Sequence, residues 1–243
     1  MSIKAKIATG AAAFALVGGG LGLAGTLTAS AATPSCTGYT CAQLFSQKFG
    51  PKDVADVYHG RAAAGQPAIL FQSSNTDPAE DFTFNVEDSV SGFYNTYKLV
   101  SPQFAHTYGN DPVVEIEYSP YGVNSNFCLS TTPGQAATAG GKVGLQWCGR
   151  TSSSLWAVNY NDATRDHRSV FGYDAPLISG ADANFSNPEV LTYPAGSPTD
   201  MPRPQLETMP QQQYSNGTTD DNQQWGLQGS PVDHGNTTMP VSP

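Results

Sequence analysis

Charge is scarce in this chain, and cations scarcest of all. Only 13% of the residues are Asp, Glu, Lys or Arg, with 11 basic side chains against 20 acidic ones and a formal net charge of −9. The basic residues are scattered, which excludes the electrostatic footprint of a nucleic-acid binder and disfavours an anionic membrane surface. Catalytic signatures are missing as well: there is no G-x-S-x-G, no H-E-x-x-H and no phosphate-cradling glycine loop. His59, His106, His167 and His234 lie far apart, and none shares a motif with a serine or cysteine nucleophile. Asp166-His167 beside Asp162 reads as a surface loop. Glu115 and Glu117 stand two apart and read as a solvated strand face, because such a pair does not flank a substrate. No enzyme and no cofactor is expected.

Cysteine is sparse too. There are four, none in C-x-x-C spacing and none near a histidine, which argues against zinc. "NTDPAED" offers Asp77, Glu80 and Asp81 as oxygen ligands, but it lacks the spacing of an EF-hand loop and reads as a turn. No metal is expected. After residue 31 no apolar run approaches membrane length.

What is present begins with an export signal. Lys4 and Lys6 precede an apolar, glycine-rich stretch over residues 7–27, and Ala29-Ser30-Ala31 supplies small residues of the cleavage-site type. Residues 1–31 are therefore expected to be a cleaved signal peptide and the protein to be extracellular. Without the two leader lysines, nine basic residues face 20 acidic ones, a net charge of −11. In an exported chain four cysteines imply two disulfides. Of three possible pairings, Cys36 with Cys41 and Cys128 with Cys148 close local rings and are favoured.

Three zones follow. Residues 32–66 form an N-terminal arm with the first cysteine ring and a short expected helix, "CAQLFSQKFG", whose Leu44, Phe45 and Phe49 recur at near-helical spacing. Those three residues and Tyr39, inside the ring, are the candidate partner-binding side chains. From residue 67 to 228 short strand-like runs such as "AILF", "DFTFNV", "VVEIEYS", "KVGLQWC" and "LWAVNY" alternate with Gly, Pro, Asn, Asp and Ser clusters. No amphipathic helix of convincing length is visible there. The pattern indicates an all-β sandwich or barrel. Residues 229–243 read as a frayed tail.

Two segments end alike, "FCLSTTPGQAATAGGKVGLQWCGRTSSSLW" at Trp156 and "PLISGADANFSNPEVLTYP…NQQW" at Trp225. A C-L strand, a second cysteine after a short strand and a terminal Q-x-W resemble the ricin-B-type β-trefoil. The resemblance implies that Trp156 and Trp225 fill a shared core and that Cys128–Cys148 staples a hairpin, with Trp147 less buried. It places a first repeat, without Q-x-W, over about residues 67–121. Sugar sites of that family need an aspartate after the C-L strand, an aromatic platform and an Asn. Here Ser130 follows Cys128-Leu129 and Ser179 follows Leu177-Ile178, so the remaining candidates are Asp182, Tyr214 and Asn222. "ILFQSSNTDPAEDFTF" and "PTDMPRPQL" are also similar to the adaptor subunit of secreted bacterial umbrella toxin particles. That similarity implies protein partners, a lectin-bearing trypsin-like subunit and a large repeat-containing toxin subunit. A free-standing lectin binding glycans is the alternative, and a trefoil protease inhibitor a third.

Overall fold

Twelve strands carry the fold, four to each of three repeats. The structure, a computed structural model, describes residues 41–229 apart from Asn75, Arg150, Phe171 and 195–202. The first repeat contains β1 (Ala42–Ser46), β2 (Asp53–Val57), β3 (Ala68–Gln72) and β4 (Phe82–Ser89). The second contains β5 (Pro112–Tyr118), β6 (Phe127–Ser130), β7 (Gly144–Trp147) and β8 (Leu155–Val158). The third contains β9 (Leu177–Ser179), β10 (Glu189–Thr192), β11 (Glu207–Pro210) and β12 (Trp225–Gly229).

The first and last strands of each repeat close a six-stranded antiparallel barrel. Going round, β1 pairs β4, β4 pairs β5, β5 pairs β8, β8 pairs β9, and β12 returns to β1. An Ala175–Trp225 bridge joins the chain just before β9 to β12. The three remaining pairs, β2–β3, β6–β7 and β10–β11, are hairpins. They meet one another through the bridges Pro67–Gly144 and Ile69–Gln205 and through Gly141–Lys142 against Glu207 and Thr208. A closed barrel with three hairpins capping one end is a β-trefoil.

The ladder register sets the threefold equivalence residue by residue. Within a repeat, Ala42 faces Phe82, Val114 faces Trp156 and Ala175 faces Trp225. Between repeats, Tyr118 faces Phe82, Ser179 faces Trp156 and Ser46 faces Trp225. Phe82, Trp156 and Trp225 are thus one position seen three times, and they are 0%, 0% and 3% exposed. Both indoles anchor alike: Trp156 Nε1 donates to the Leu129 carbonyl at 3.0 Å and Trp225 Nε1 to the Leu191 carbonyl at 2.8 Å. Phe82 has no such proton to give. Cys128 is bonded to Cys148, 20 residues on, across the second hairpin. That ring removes unfolded-state entropy worth about 3 kcal/mol. Cys41 is also disulfide-bonded; its expected partner Cys36, like Tyr39 and residues 1–31, lies outside the described residues.

Two expectations are corrected here. The first repeat starts at Ala42, not at residue 67, and the expected helix over "CAQLFSQKFG" is strand β1. Helical spacing misled because β1 is buried on both faces, all five of its residues included, so no alternation survives. Its ladder to β12 spans Ala42–Gly229 to Ser46–Trp225, which also carries the fold to Gly229 itself. Conversely, two short helices lie between the first and second repeats, α1 (Val90–Tyr97) and α2 (Pro102–Thr107). Ser89 Oγ accepts from Gly92 N and Ser101 Oγ from Phe104 N, so each helix has its N-cap. Val90, Phe93, Phe104 and Tyr108 pack with Val113, Leu155, Ile178 and Val190 into a second apolar cluster against the barrel wall. Helices of one or two turns are stable only through such packing, which periodicity alone does not reveal. Among the described residues no helix is long and apolar enough to cross a membrane.

Candidate functional site

The hairpin strands extend the threefold register into the cap. Phe45 faces Val54, Glu117 faces Cys128 and Ile178 faces Val190. Leu129 therefore corresponds to Ala55 and Leu191, and the residue that follows is Asp56, Ser130 or Thr192. The repeat-three position is Thr192, not Ser179, which stands on the barrel strand. Only the first repeat keeps the carboxylate. Asp56 stands 26 residues before Phe82, as Ser130 does before Trp156.

The three positions differ in what satisfies them. Ser130 Oγ donates to its own strand, to the Cys128 carbonyl at 3.1 Å. Thr192 Oγ1 accepts from Gln223 Nε2 at 3.1 Å, Gln223 being the first residue of the Q-x-W. In the first repeat the glutamine's place is taken by Glu80, which cannot donate once ionised. Asp56 is 5% exposed, and among the described residues it makes no hydrogen bond. Burial pushes its carboxyl up to about 7, Asp77 adds to this, and Arg203 opposes it.

Around Asp56 lies a cavity of about 650 Å³ lined by His59, Arg61, Asp77, Tyr118 and Tyr121, among others. Asp77 caps the turn Pro78–Glu80, its Oδ1 accepting from Ala79 N at 2.9 Å. Glu80 is fully buried and accepts from Gln43 Nε2 at 2.7 Å and from Ser74 N at 2.9 Å. Its carboxyl is raised to about 8, by burial first and by the neighbouring acids Asp56, Asp77 and Asp81 after that. Tyr118 is buried and donates to the Gly60 carbonyl at 3.0 Å. Two lining residues, His59 at φ 64° and Tyr121 at φ 56°, hold left-handed backbone. Each such bulky residue costs about 1–3 kcal/mol, a strain that concentrates at functional sites. Carboxylate acceptors, a guanidinium and tyrosine rings around one opening suit a ligand rich in hydroxyls.

The residues proposed from sequence are distributed differently. Tyr214 and Asn222 are brought together by Asp220, whose Oδ1 accepts from Tyr214 Oη at 3.1 Å and from Asn222 N at 3.3 Å. Asp182 is elsewhere: 4% exposed, its Oδ1 accepts from Asn184 N and Glu189 N and shapes the loop between β9 and β10. The three do not form one site. Leu44 and Phe45, expected to touch a partner, are 1% and 0% exposed and belong to the core. Phe49 is partly buried against it, its ring edge-on to Tyr193 at 5.2 Å. Glu115 and Glu117 are not solvated either. Glu115 Oε1 accepts from Gly149 N at 2.6 Å and Ser154 Oγ at 2.8 Å, and Glu117 Oε1 accepts from Asn126 N at 2.7 Å. Trp147, expected to be the least buried tryptophan, is 47% exposed.

No protein-family model and no curated protein matches the sequence. Solved structures do resemble the fold. The crystal structure of ThreeFoil, a designed threefold symmetric protein, is 14% identical over 79% of this chain and 97% of its own, with a TM-score of 0.49. The β-trefoil lectin of the Vibrio vulnificus hemolysin/cytolysin, with N-acetyl-D-lactosamine bound, is 12% identical over 81% of this chain and 99% of its own, with a TM-score of 0.42. An exo-β-1,3-galactanase from Clostridium thermocellum is 13% identical over 79% of this chain but only 31% of its own, with a TM-score of 0.49.

Proposed function

We propose that this chain is an exported, non-catalytic binding protein whose ligand site is the Asp56 cavity of the first repeat, and that the ligand is a carbohydrate. One observation carries the reading. Of three equivalent positions, only the first holds a carboxylate, and that carboxylate is buried, makes no hydrogen bond among the described residues and is set against a cavity. Sugar hydroxyls are the donors such an acceptor lacks, and an unsatisfied buried acceptor costs about 1–3 kcal/mol that a ligand recovers. Glu80 is already engaged by two donors, Gln43 Nε2 and the Ser74 N–H that its two oxygens share, so it supports the wall instead of acting as a second catalytic carboxyl. A glycan array in calcium-containing buffer tests this. The parent protein is expected to retain a defined glycan and Asp56→Asn to lose it. Binding that survives Asp56→Asn while Asp220→Asn abolishes it would move the site to the third repeat.

A connector role toward co-secreted protein subunits is the second reading. Leu44 and Phe45 no longer support it. One observation favours it: Trp147 lies half exposed on the second hairpin, with its ring 4.4 Å from that of Phe127. Exposed aromatics of this kind anchor protein interfaces. Pull-down from culture supernatant with the parent and with Trp147→Ala separates the readings, because a connector retrieves large polypeptides that the variant loses.

A further inference from the structure

The first repeat carries acids where the third repeat carries a hydrogen bond. Thr192 and Gln223 are joined by Nε2–H donation at 3.1 Å. The equivalent pair in repeat one is Asp56 and Glu80. Asp77, five residues before Phe82, adds a third carboxylate at the place where Asp220 stands before Trp225. One oxygen from each of Asp56, Asp77 and Glu80 lies within 4.8 Å of the others. Two oxygens on one calcium ion stand at most about 5 Å apart, since each sits about 2.3–2.6 Å from the metal.

Among the described residues no salt bridge reaches this cluster: the ion pairs there are Lys142–Glu207 and Arg168–Asp166, both elsewhere. Arg203, the cation that acts on Asp56, has its guanidinium stacked 3.3 Å above the Phe71 ring. Asp77 uses Oδ1 on Ala79 N and keeps Oδ2. Glu80 is fixed by Gln43 and Ser74 and needs no rearrangement to ligate. The decisive group is Asp56. It is nineteen-twentieths buried, turns a carboxylate oxygen toward the other two acids and makes no hydrogen bond among the described residues. A buried carboxylate in that state takes up a proton or takes a partner from outside the chain, and a cation shared by three acids serves all of them at once.

We infer that Asp56, Asp77 and Glu80 hold one calcium ion, with water from the adjoining cavity completing its coordination. Calcium suits the arrangement better than magnesium, because it accepts irregular all-oxygen shells. The inference shares Asp56 with the proposed sugar site but stands without it, since calcium is titrated with no glycan present.

The test is titration calorimetry and thermal melting of EDTA-treated protein against CaCl2, with MgCl2 in parallel. One calcium per chain is expected, with a melting temperature raised by about 5–10 °C at a hundredfold excess over Kd. Magnesium should bind at least tenfold more weakly. The double variant Asp56→Thr/Glu80→Gln copies the pairing seen between Thr192 and Gln223; it should fold and lose the calcium response. Asp77→Asn keeps the turn cap and should weaken calcium at least tenfold, which serves if the double variant does not fold. Silence in both measurements up to roughly 10 mM CaCl2, above the weak end of extracellular calcium sites, overturns the inference. So does calcium binding that none of these substitutions alters.

Discussion

Replacing each core tryptophan by phenylalanine tests the threefold register quantitatively, because the first repeat already makes that substitution. Trp156→Phe removes the 3.0 Å donation to the Leu129 carbonyl. A buried carbonyl that loses its donor costs about 1–3 kcal/mol. The smaller ring also leaves a void, adding about 1 kcal/mol at ~24 cal/mol per Å³ of cavity. The sum is about 2–4 kcal/mol, which at about 2–4 °C per kcal/mol lowers the melting temperature by roughly 4–16 °C. Trp225→Phe should cost the same within error, since its indole donates to Leu191 in the matching geometry. Phe82→Trp is the control: the position is fully buried beside Tyr118, with rings 5.9 Å apart, so overpacking should destabilise it by about 1–3 kcal/mol. Thermal and urea denaturation followed by circular dichroism supply the numbers. If both Trp→Phe variants melt with the parent, the two indoles are not the fixed points of the repeats, and Asp56 loses its equivalence to Ser130 and Thr192.

Two further outcomes follow from burial. Leu44→Ala should cost about 2–5 kcal/mol and Phe45→Ala about 3–5, because both are core residues; a melting temperature equal to the parent's would return them to the role of an independent arm. In EDTA, stability should fall as pH rises from about 4 to about 8. Burial raises Asp111 to about 6, Asp56 to about 7, and Asp174 and Glu80 to about 8, with Asp166 adding to the shift of Asp174. The folded chain therefore binds more protons than the unfolded one across that window, at about 1.4 kcal/mol per pH unit for each extra proton. Asp166, held low chiefly by its hydrogen bonds from Arg168, acts in the opposite sense and withdraws stability only on strong acidification. Asp174→Asn should flatten the alkaline limb, and a melting temperature that climbs steadily from pH 4 to 8 in EDTA would show that these carboxyls are ionised in the fold.

The second and third repeats were legible because their markers are large and chemically distinctive. Cys128, Cys148, Trp156 and Trp225 each have a fold-level reason to be where they are, and the structure places all four as the trefoil pattern requires. The first repeat was not legible, for the opposite reason. Phe82 fills the tryptophan's volume without its N–H, Ala55 replaces the marker leucine, and Glu80-Asp81-Phe82 stands where Q-x-W would be. Every substitution preserves the fold while erasing the letter by which the fold is recognised. Strand β1 was hidden in another way, since a barrel strand covered on both sides loses the alternation that marks a strand. The buried pair Glu115 and Glu117 was misread because a chain shows charge but not the backbone N–H groups that will reach it. Gly149 and Asn126 supply those from other elements.

The same erasure explains why the candidate site falls where it does. A trefoil offers three equivalent hairpin positions, and a site persists only where its polar groups are not consumed by the fold. In repeat two, Ser130 turns back on its own strand, and Ser154, at the glutamine's place, bonds Glu115 instead. In repeat three, Gln223 closes on Thr192 and the Pro210 carbonyl. Both positions are internally satisfied and offer nothing outward. Repeat one alone sets two acids face to face, and acids cannot satisfy each other once both are ionised. The fold tolerates this because the Trp156 and Trp225 anchors and the Cys128–Cys148 staple lie in the other two repeats. Substitutions at the two indole anchors and the disulfide should therefore move the melting temperature, as those at Leu44 and Phe45 in the core of repeat one do, whereas those at Asp56 and Glu80 should move ligand binding.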